Sequence, residues 1–155
     1  MERRDKINYY LDIAETVSER STCLRRHYGS VLVKNDIIIS TGYNGSPRGI
    51  QNCSECGFCR RENCQRGTNY NLCPGVHSEM NSIINCDRSE MIGSILYLVG
   101  KEIDNNYVND ANPCALCKRL IINSGIEKVI IRKDKNNYLI INTNNWTLED
   151  ITGAY

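Results

Sequence analysis

Two short motifs constrain this chain more than any other feature of its sequence: His77-Ser78-Glu79 and Pro113-Cys114-Ala115-Leu116-Cys117. Each stands at the start of a helical pattern. Met80, Ile83 and Ile84 give an apolar stripe over 77–86, while Cys117, Leu120 and Ile121 give another that Gly125 closes. Asn112 is the expected N-cap of the second helix, with Pro113 at its first position. Cys114 and Cys117 are three residues apart, so on a helix they share one face. A helix N-terminus favours thiolates, the form that binds metal. His77 completes a set of three ligands. Three ligands leave an open fourth position on tetrahedral zinc, which marks a catalytic site rather than a structural one. Water in that position becomes a nucleophile near neutral pH, and a nearby carboxylate must then carry its proton. Glu79, two residues after His77, is the candidate.

The rest of the chain supplies the frame. Ile7, Leu11, Ile13, Ala14 and Val17 predict an amphipathic helix near 5–20. Val31-Leu32-Val33 and Ile37-Ile38-Ile39, with Lys34-Asn35-Asp36 between them, predict a β-hairpin. Ile95–Val99 and Lys128–Ile131 predict two further strands, and Thr147–Tyr155 a short terminal helix. The order α-β-β-loop-α-β-α-β implies a layered α/β fold with a sheet of mixed direction. At 155 residues the chain is one domain's worth, residues 1–155, and needs no staples merely to fold.

From Gly42 to Gly75 apolar periodicity disappears. The 43–75 insertion is rich in Gly, Pro, Asn, Ser and Cys, and a structureless loop of this length is uncommon unless functional or pinned. Five of the nine cysteines lie there: Cys53, Cys56, Cys59, Cys64 and Cys73. An odd total and no sign of secretion favour metal over disulfides. Close-spaced thiols suit structural zinc, although reduced free thiols and disulfides remain alternatives.

Charge excludes some functions. Nineteen Lys plus Arg against eighteen Asp plus Glu gives no general grip on polynucleotide, and the nine tyrosines form no basic-aromatic groove. No segment reads as a membrane span or a signal peptide, so the cytoplasm is the expected compartment. Cys86 is expected to be a buried small hydrophobe, Trp146 a packing residue, His27 a surface or phosphate-adjacent group, and Arg3, Arg4 and Lys6 a solvated helix face.

H-x-E followed by P-C-x-x-C is the signature of zinc nucleobase deaminases. The chain resembles the cytidine/deoxycytidylate deaminase superfamily, and within it the deoxycytidylate (dCMP) deaminases. The segment Thr41-Gly42-Tyr43-Asn44-Gly45-Ser46-Pro47-Arg48-Gly49 resembles their Gly-Tyr-Asn-Gly loop, and Ser21-Thr22-Cys23-Leu24-Arg25-Arg26 resembles bacterial and phage members. The similarity spans about residues 5–132.

That resemblance implies a three-layer α-β-α cytidine-deaminase-like fold with a central mixed sheet. It implies catalytic zinc on His77, Cys114 and Cys117, with Glu79 as proton shuttle. Asn44 would contact the sugar, and the backbone around Ser78 would meet the pyrimidine edge. Ser78 stands where the family more often has Ala. Arg25, Arg26 and Ser46 are phosphate candidates. A second zinc is implied on Cys23, Cys53, Cys59 and Cys73, with Cys56 and Cys64 spare. The implied activity is dCMP to dUMP and ammonia, supplying dUMP for thymidylate synthesis. Hexamers and dCTP and dTTP as effectors are implied too. The alternatives are a deaminase of dCTP or modified dCMP, a tRNA or single-stranded DNA editor, and a non-catalytic zinc module.

Overall fold

A computed structural model describes residues 1–153. Five strands form one sheet in the order β2-β1-β3-β4-β5. They are β1 (Arg26–Lys34), β2 (Ile37–Tyr43), β3 (Ile95–Glu102), β4 (Lys128–Arg132) and β5 (Tyr138–Asn142). β3 and β4 run parallel, and the other neighbours run antiparallel. The sheet is therefore mixed, as expected.

Strand alternation sorts the core into two layers. Val31, Val33, Tyr97, Val99 and Ile130 face α1 (Lys6–Ser18), where they meet Tyr10, Leu11 and Ala14. Leu32, Leu96, Leu98, Val129 and Ile131 face the other way, with Ile121 of α5 (Ala115–Ser124) in the same cluster. α3 (Ser78–Ile84) covers β1 and β2 on that second face. This is the three-layer α-β-α arrangement.

Local chemistry explains most boundaries. Asp5 caps α1 by accepting from the Asn8 N–H at 3.0 Å. The hairpin turns on Asn35 and Asp36, both at positive φ, the conformation a two-residue type I′ connection demands. Gly125 closes α5 in the left-handed region, as its place in the sequence predicts.

Several expectations need correction. α5 begins at Ala115, with Cys114 as its N-cap. The Asn112 side chain turns back to Asp110 instead, donating to Oδ1 at 2.7 Å. The sequence reading omits β5, the short helix α4 (Arg88–Met91) and, within the insertion, the short helix α2 (Cys53–Cys56) and a 3-10 turn at Tyr70–Leu72. The terminal helix does not form over 147–153, which are turns and bends, and Ala154 and Tyr155 lie outside the described residues. Cys86 sits beyond the end of α3 and is only half-buried, because the helix stops at Ile84. Arg3, Arg4 and Lys6 are exposed as expected, although Arg3 and Arg4 precede α1, and two of them are paired there: Arg4 with Asp12 at 3.0 Å and Lys6 with Asp36 at 3.0 Å. Trp146 packs against the second core layer as expected.

Candidate active site

The position of α3 is set by small polar residues. Ser30 Oγ of β1 donates to the Ser78 carbonyl at 2.9 Å, and Ser40 Oγ of β2 donates to the Ser82 carbonyl at 2.6 Å. At Gly42 a Cβ would lie 2.3 Å from Ser78 O and 2.5 Å from Ser82 N. The helix thus rides on a Ser and Gly patch that no larger side chain could occupy. This close seat fixes His77, the N-cap of α3, and Glu79 in its first turn.

α5 brings the thiols to the same place. Cys114 Sγ caps its own helix by accepting from the Cys117 N–H at 3.4 Å. His77 Nδ1 lies 3.5 Å from Cys114 Sγ and 3.4 Å from Cys117 Sγ. All three donor atoms fall within 4.8 Å of one another. A tetrahedral zinc with one nitrogen and two sulfur ligands has N-to-S edges of roughly 3.5 Å, so the set fits zinc without rearrangement. Among the described residues it is the one group of three or more His, Cys, Asp or Glu at ligand spacing.

The electrostatics suit a metal and a proton carrier. The Cys117 thiol bonds to the Cys114 sulfur, and this with the His77 ring pulls Cys114 down to about 4 despite burial. Cys117, the donor of that bond, is pushed up by it and by burial. The bond with Cys114 raises His77. Glu79 is 5% exposed, and burial raises its carboxyl above the ordinary range, against the lowering pull of His77. Ser78 Oγ donates to Glu79 Oε2 at 2.9 Å.

These groups open into a cavity of about 500 Å³ whose wall includes Asn44, Ser46, Arg26 and the insertion. The Asn44 side chain is mostly consumed by the protein. Its Oδ1 accepts from Ser21 Oγ at 2.6 Å and from the Tyr28 N–H at 2.8 Å, and its Nδ2 donates to the Arg26 carbonyl at 2.9 Å. One amide hydrogen is left over. Arg26 is paired with Glu102 at 2.9 Å, half-buried. The Ser46 hydroxyl is buried beside the Cys53 thiol, which burial raises and Ser46 lowers. His27 holds the Cys23 carbonyl through Nε2 at 2.9 Å and is absent from the cavity wall.

Cys23, Cys53, Cys59 and Cys73 all line the same cavity, and the other three thiols together push Cys53 up further. No three of them reach ligand spacing. Cys56 and Cys64 stay out of the wall. Sequence reasoning passed over Arg61, Tyr70 and Tyr28, which also line it. The run Arg60-Arg61, followed by Arg66, was the available signal: three basic residues inside an insertion read only for its cysteines.

The pattern of the cytidine and deoxycytidylate deaminase zinc-binding region matches residues 4–133. The chain belongs to this family. A deoxycytidylate deaminase of Mycobacterium phage D29 is 36% identical over 138 residues, covering 86% of this chain and 99% of the phage protein. The deoxycytidylate deaminase of Schizosaccharomyces pombe is 35% identical, but this chain spans only 37% of its length. Among solved structures, the dCMP deaminase of cyanophage S-TIM5 in complex with dCMP and dUMP is 28% identical, covers 84% of each chain and superposes with a TM-score of 0.61. A Burkholderia pseudomallei cytidine deaminase shares the fold at 14% identity, with a TM-score of 0.58. Zinc is the metal of this family region, and the His77, Cys114 and Cys117 geometry accommodates it.

Proposed function

We propose that the protein hydrolyses dCMP to dUMP and ammonia. The single observation that carries this reading is the convergence of His77, Cys114, Cys117 and the buried Glu79 at one end of a nucleotide-sized cavity. His77 Nδ1 and the two sulfurs hold zinc. Bound there, zinc supplies Lewis acidity that lets water act as a nucleophile near neutral pH. Glu79 would take one proton from the attacking water and pass it to the pyrimidine N3 as the water oxygen bonds to C4; the second water proton would go to the amino nitrogen, whose bond to C4 then breaks to release ammonia. The buried setting of Glu79 favours the protonated form, which lets it hold the proton between the two transfers. The Ser78 hydroxyl fixes one carboxyl oxygen, and the backbone there meets the pyrimidine edge. Asn44 offers its remaining N–H to the sugar, and Ser46 and Arg26 belong to the wall beyond it.

The same proposal extends to a second zinc on Cys23, Cys53, Cys59 and Cys73. Their shared cavity wall and mutual influence on Cys53 support it, although the thiols must draw closer to ligate. Two zinc per chain is the expected metal count, and a count near one refutes the second site. Hexamer assembly, dCTP and dTTP as effectors, and a cytoplasmic location complete the reading by resemblance. No helix among the described residues is long and apolar enough to cross a membrane. Sedimentation as a monomer would count against the assembly.

The decisive experiment measures ammonia release from a panel of cytosine and adenine nucleosides, nucleotides and oligonucleotides. dCMP should be preferred over cytidine, dCTP and oligonucleotides. Preference for dCTP would move the assignment to another cytosine nucleotide, and no release from any of them would end it.

A further inference from the structure

Five arginines line the cavity, Arg25, Arg26, Arg60, Arg61 and Arg66, and they differ sharply in setting. Arg25, Arg60 and Arg66 are exposed, whereas Arg61 retains only 8% of its surface. Its Nε donates to the Thr68 carbonyl at 3.0 Å, and its guanidinium lies 4.0 Å from the centre of the Tyr70 ring. Tyr70 in turn meets the His77 ring edge-on at 6.4 Å. The terminal nitrogens of Arg61 make no hydrogen bond and no ion pair among the described residues. A backbone contact from Arg25 Nη1 to the Arg61 carbonyl, at 3.3 Å, braces this stretch of the insertion.

Burying a guanidinium is costly unless an anion or several acceptors meet it. One aromatic face and one carbonyl offset only part of that cost. The fork of Arg61 is therefore set up for an anion that enters from the cavity. In the same wall the Thr22 hydroxyl is buried without a partner, a second polar group available to a ligand oxygen. Arg26, the arginine nearest in sequence to the Asn44 contacts, is already committed to Glu102.

We propose that Arg61, contributed by the cysteine-rich insertion, receives the phosphate of the substrate and so selects a nucleoside monophosphate over a nucleoside. This rests on the reading of the site as a cytosine-nucleotide deaminase. A planar fork matches two phosphate oxygens at once, and the neighbouring Tyr70 ring holds the fork flat. The insertion is thus part of the substrate site and not merely a metal-binding decoration.

The test compares kcat/KM for dCMP and for 2′-deoxycytidine in the zinc-loaded protein. Wild type should favour dCMP, and if it deaminates neither substrate the underlying functional reading fails instead. In Arg61→Gln the dCMP-to-deoxycytidine ratio should fall by roughly a hundredfold, the loss expected for one charged contact pair, while deoxycytidine turnover holds. A parallel loss on both substrates would mean that Arg61 only shapes the loop, and an unchanged ratio would mean that it contacts no phosphate. Either result overturns the proposal. If Arg61→Gln fails to fold, Arg61→Lys is read on the same ratio. It should lose roughly tenfold because an ammonium lacks the fork, and an unchanged ratio there is equally fatal.

Discussion

Two buried arginines teach opposite lessons. Arg132, at the end of β4, is 1% exposed, and α1 engages both of its terminal nitrogens, leaving only Nε buried without a partner among the described residues: Asp12 at 2.7 Å, Glu15 at 2.7 Å, and Asn8 through its carbonyl and side chain. Lys101 and Tyr107 add to the Glu15 end. Arg61, in the cysteine-rich insertion at the cavity wall, has an aromatic face and one carbonyl. The first charge is spent within the fold and ties α1 to the sheet. The second is held for something the fold does not contain. The same contrast divides the acids, since Asp12 and Glu15 are paired with arginine while Glu79 is buried beside His77, with Ser78 the one described residue that donates a side-chain hydrogen bond to it.

The sharpest way to break this contrast is Glu79→Ala. Activity on dCMP should drop by roughly 10⁴-fold, the upper range for loss of a positioned proton carrier. Zinc content and melting temperature should hold, because removing a buried carboxyl relieves a desolvation cost. Retained turnover would remove Glu79 from the chemistry.

Arg132→Met is the mirror experiment. It should lower stability by about 3 kcal/mol, toward the low end for a broken buried pair because water still reaches Asp12 and Glu15. The preference for dCMP over deoxycytidine should not move. A change in that preference with stability intact would erase the division between the two arginines.

Glycines allow a finer cut. At Gly29 a Cβ would lie 2.1 Å from Ala14 O, on the α1 side, and at Gly42 it would lie 2.3 Å from Ser78 O, on the site side. Both Gly29→Ala and Gly42→Ala should cost about 1–3 kcal/mol by overpacking. Only Gly42→Ala should also lower kcat in the folded fraction, because it pushes α3, and Glu79 with it, off the sheet. Equal kcat values in the two variants would show that the seat of α3 is not what positions the carboxylate.

These contrasts also mark what the sequence could reveal. The stripe of α1, the Asn35-Asp36 turn and the two ligand motifs were legible because local spacing carries their meaning. Tyr138–Asn142 was missed because its apolar residues are mostly exposed on an edge strand, where alternation gives no inward signal. The start of α5 was misplaced because a cysteine sulfur, not the Asn112 amide, does the capping. Arg61 and Arg132 look alike in a sequence. Only the groups that fold around them, Tyr70 and Thr68 for one, Asp12 and Glu15 for the other, separate a ligand site from a structural lock. The cysteines of the insertion show the same limit, since their spacing suggested a shared metal but could not give the distances between their sulfurs.

The smallest effect follows from pH. Burial alone would raise Asp12 and Glu15, but hydrogen bonds from Arg4 and Arg132 hold Asp12 below the usual carboxylate range, and Arg132 with Tyr107 and Lys101 does the same for Glu15. A folded-state value below the unfolded one means the folded protein resists protonation more than the unfolded chain does. The stabilisation is therefore complete above the unfolded carboxyl values, near about 4, and is lost as pH falls through the lower folded values. Wild type should lose on the order of 1 kcal/mol from this cluster between about pH 5 and about pH 3, kept small by solvent access to both carboxylates. In Arg132→Met the denaturation midpoint should fall less steeply over that interval, because the cation that depresses both acids is gone, while Arg4 still acts on Asp12. Arg61→Gln should leave the slope untouched, since no carboxylate of this cluster depends on it. An equal flattening by both variants would mean that the two arginines share one electrostatic network, and the contrast between them would be lost.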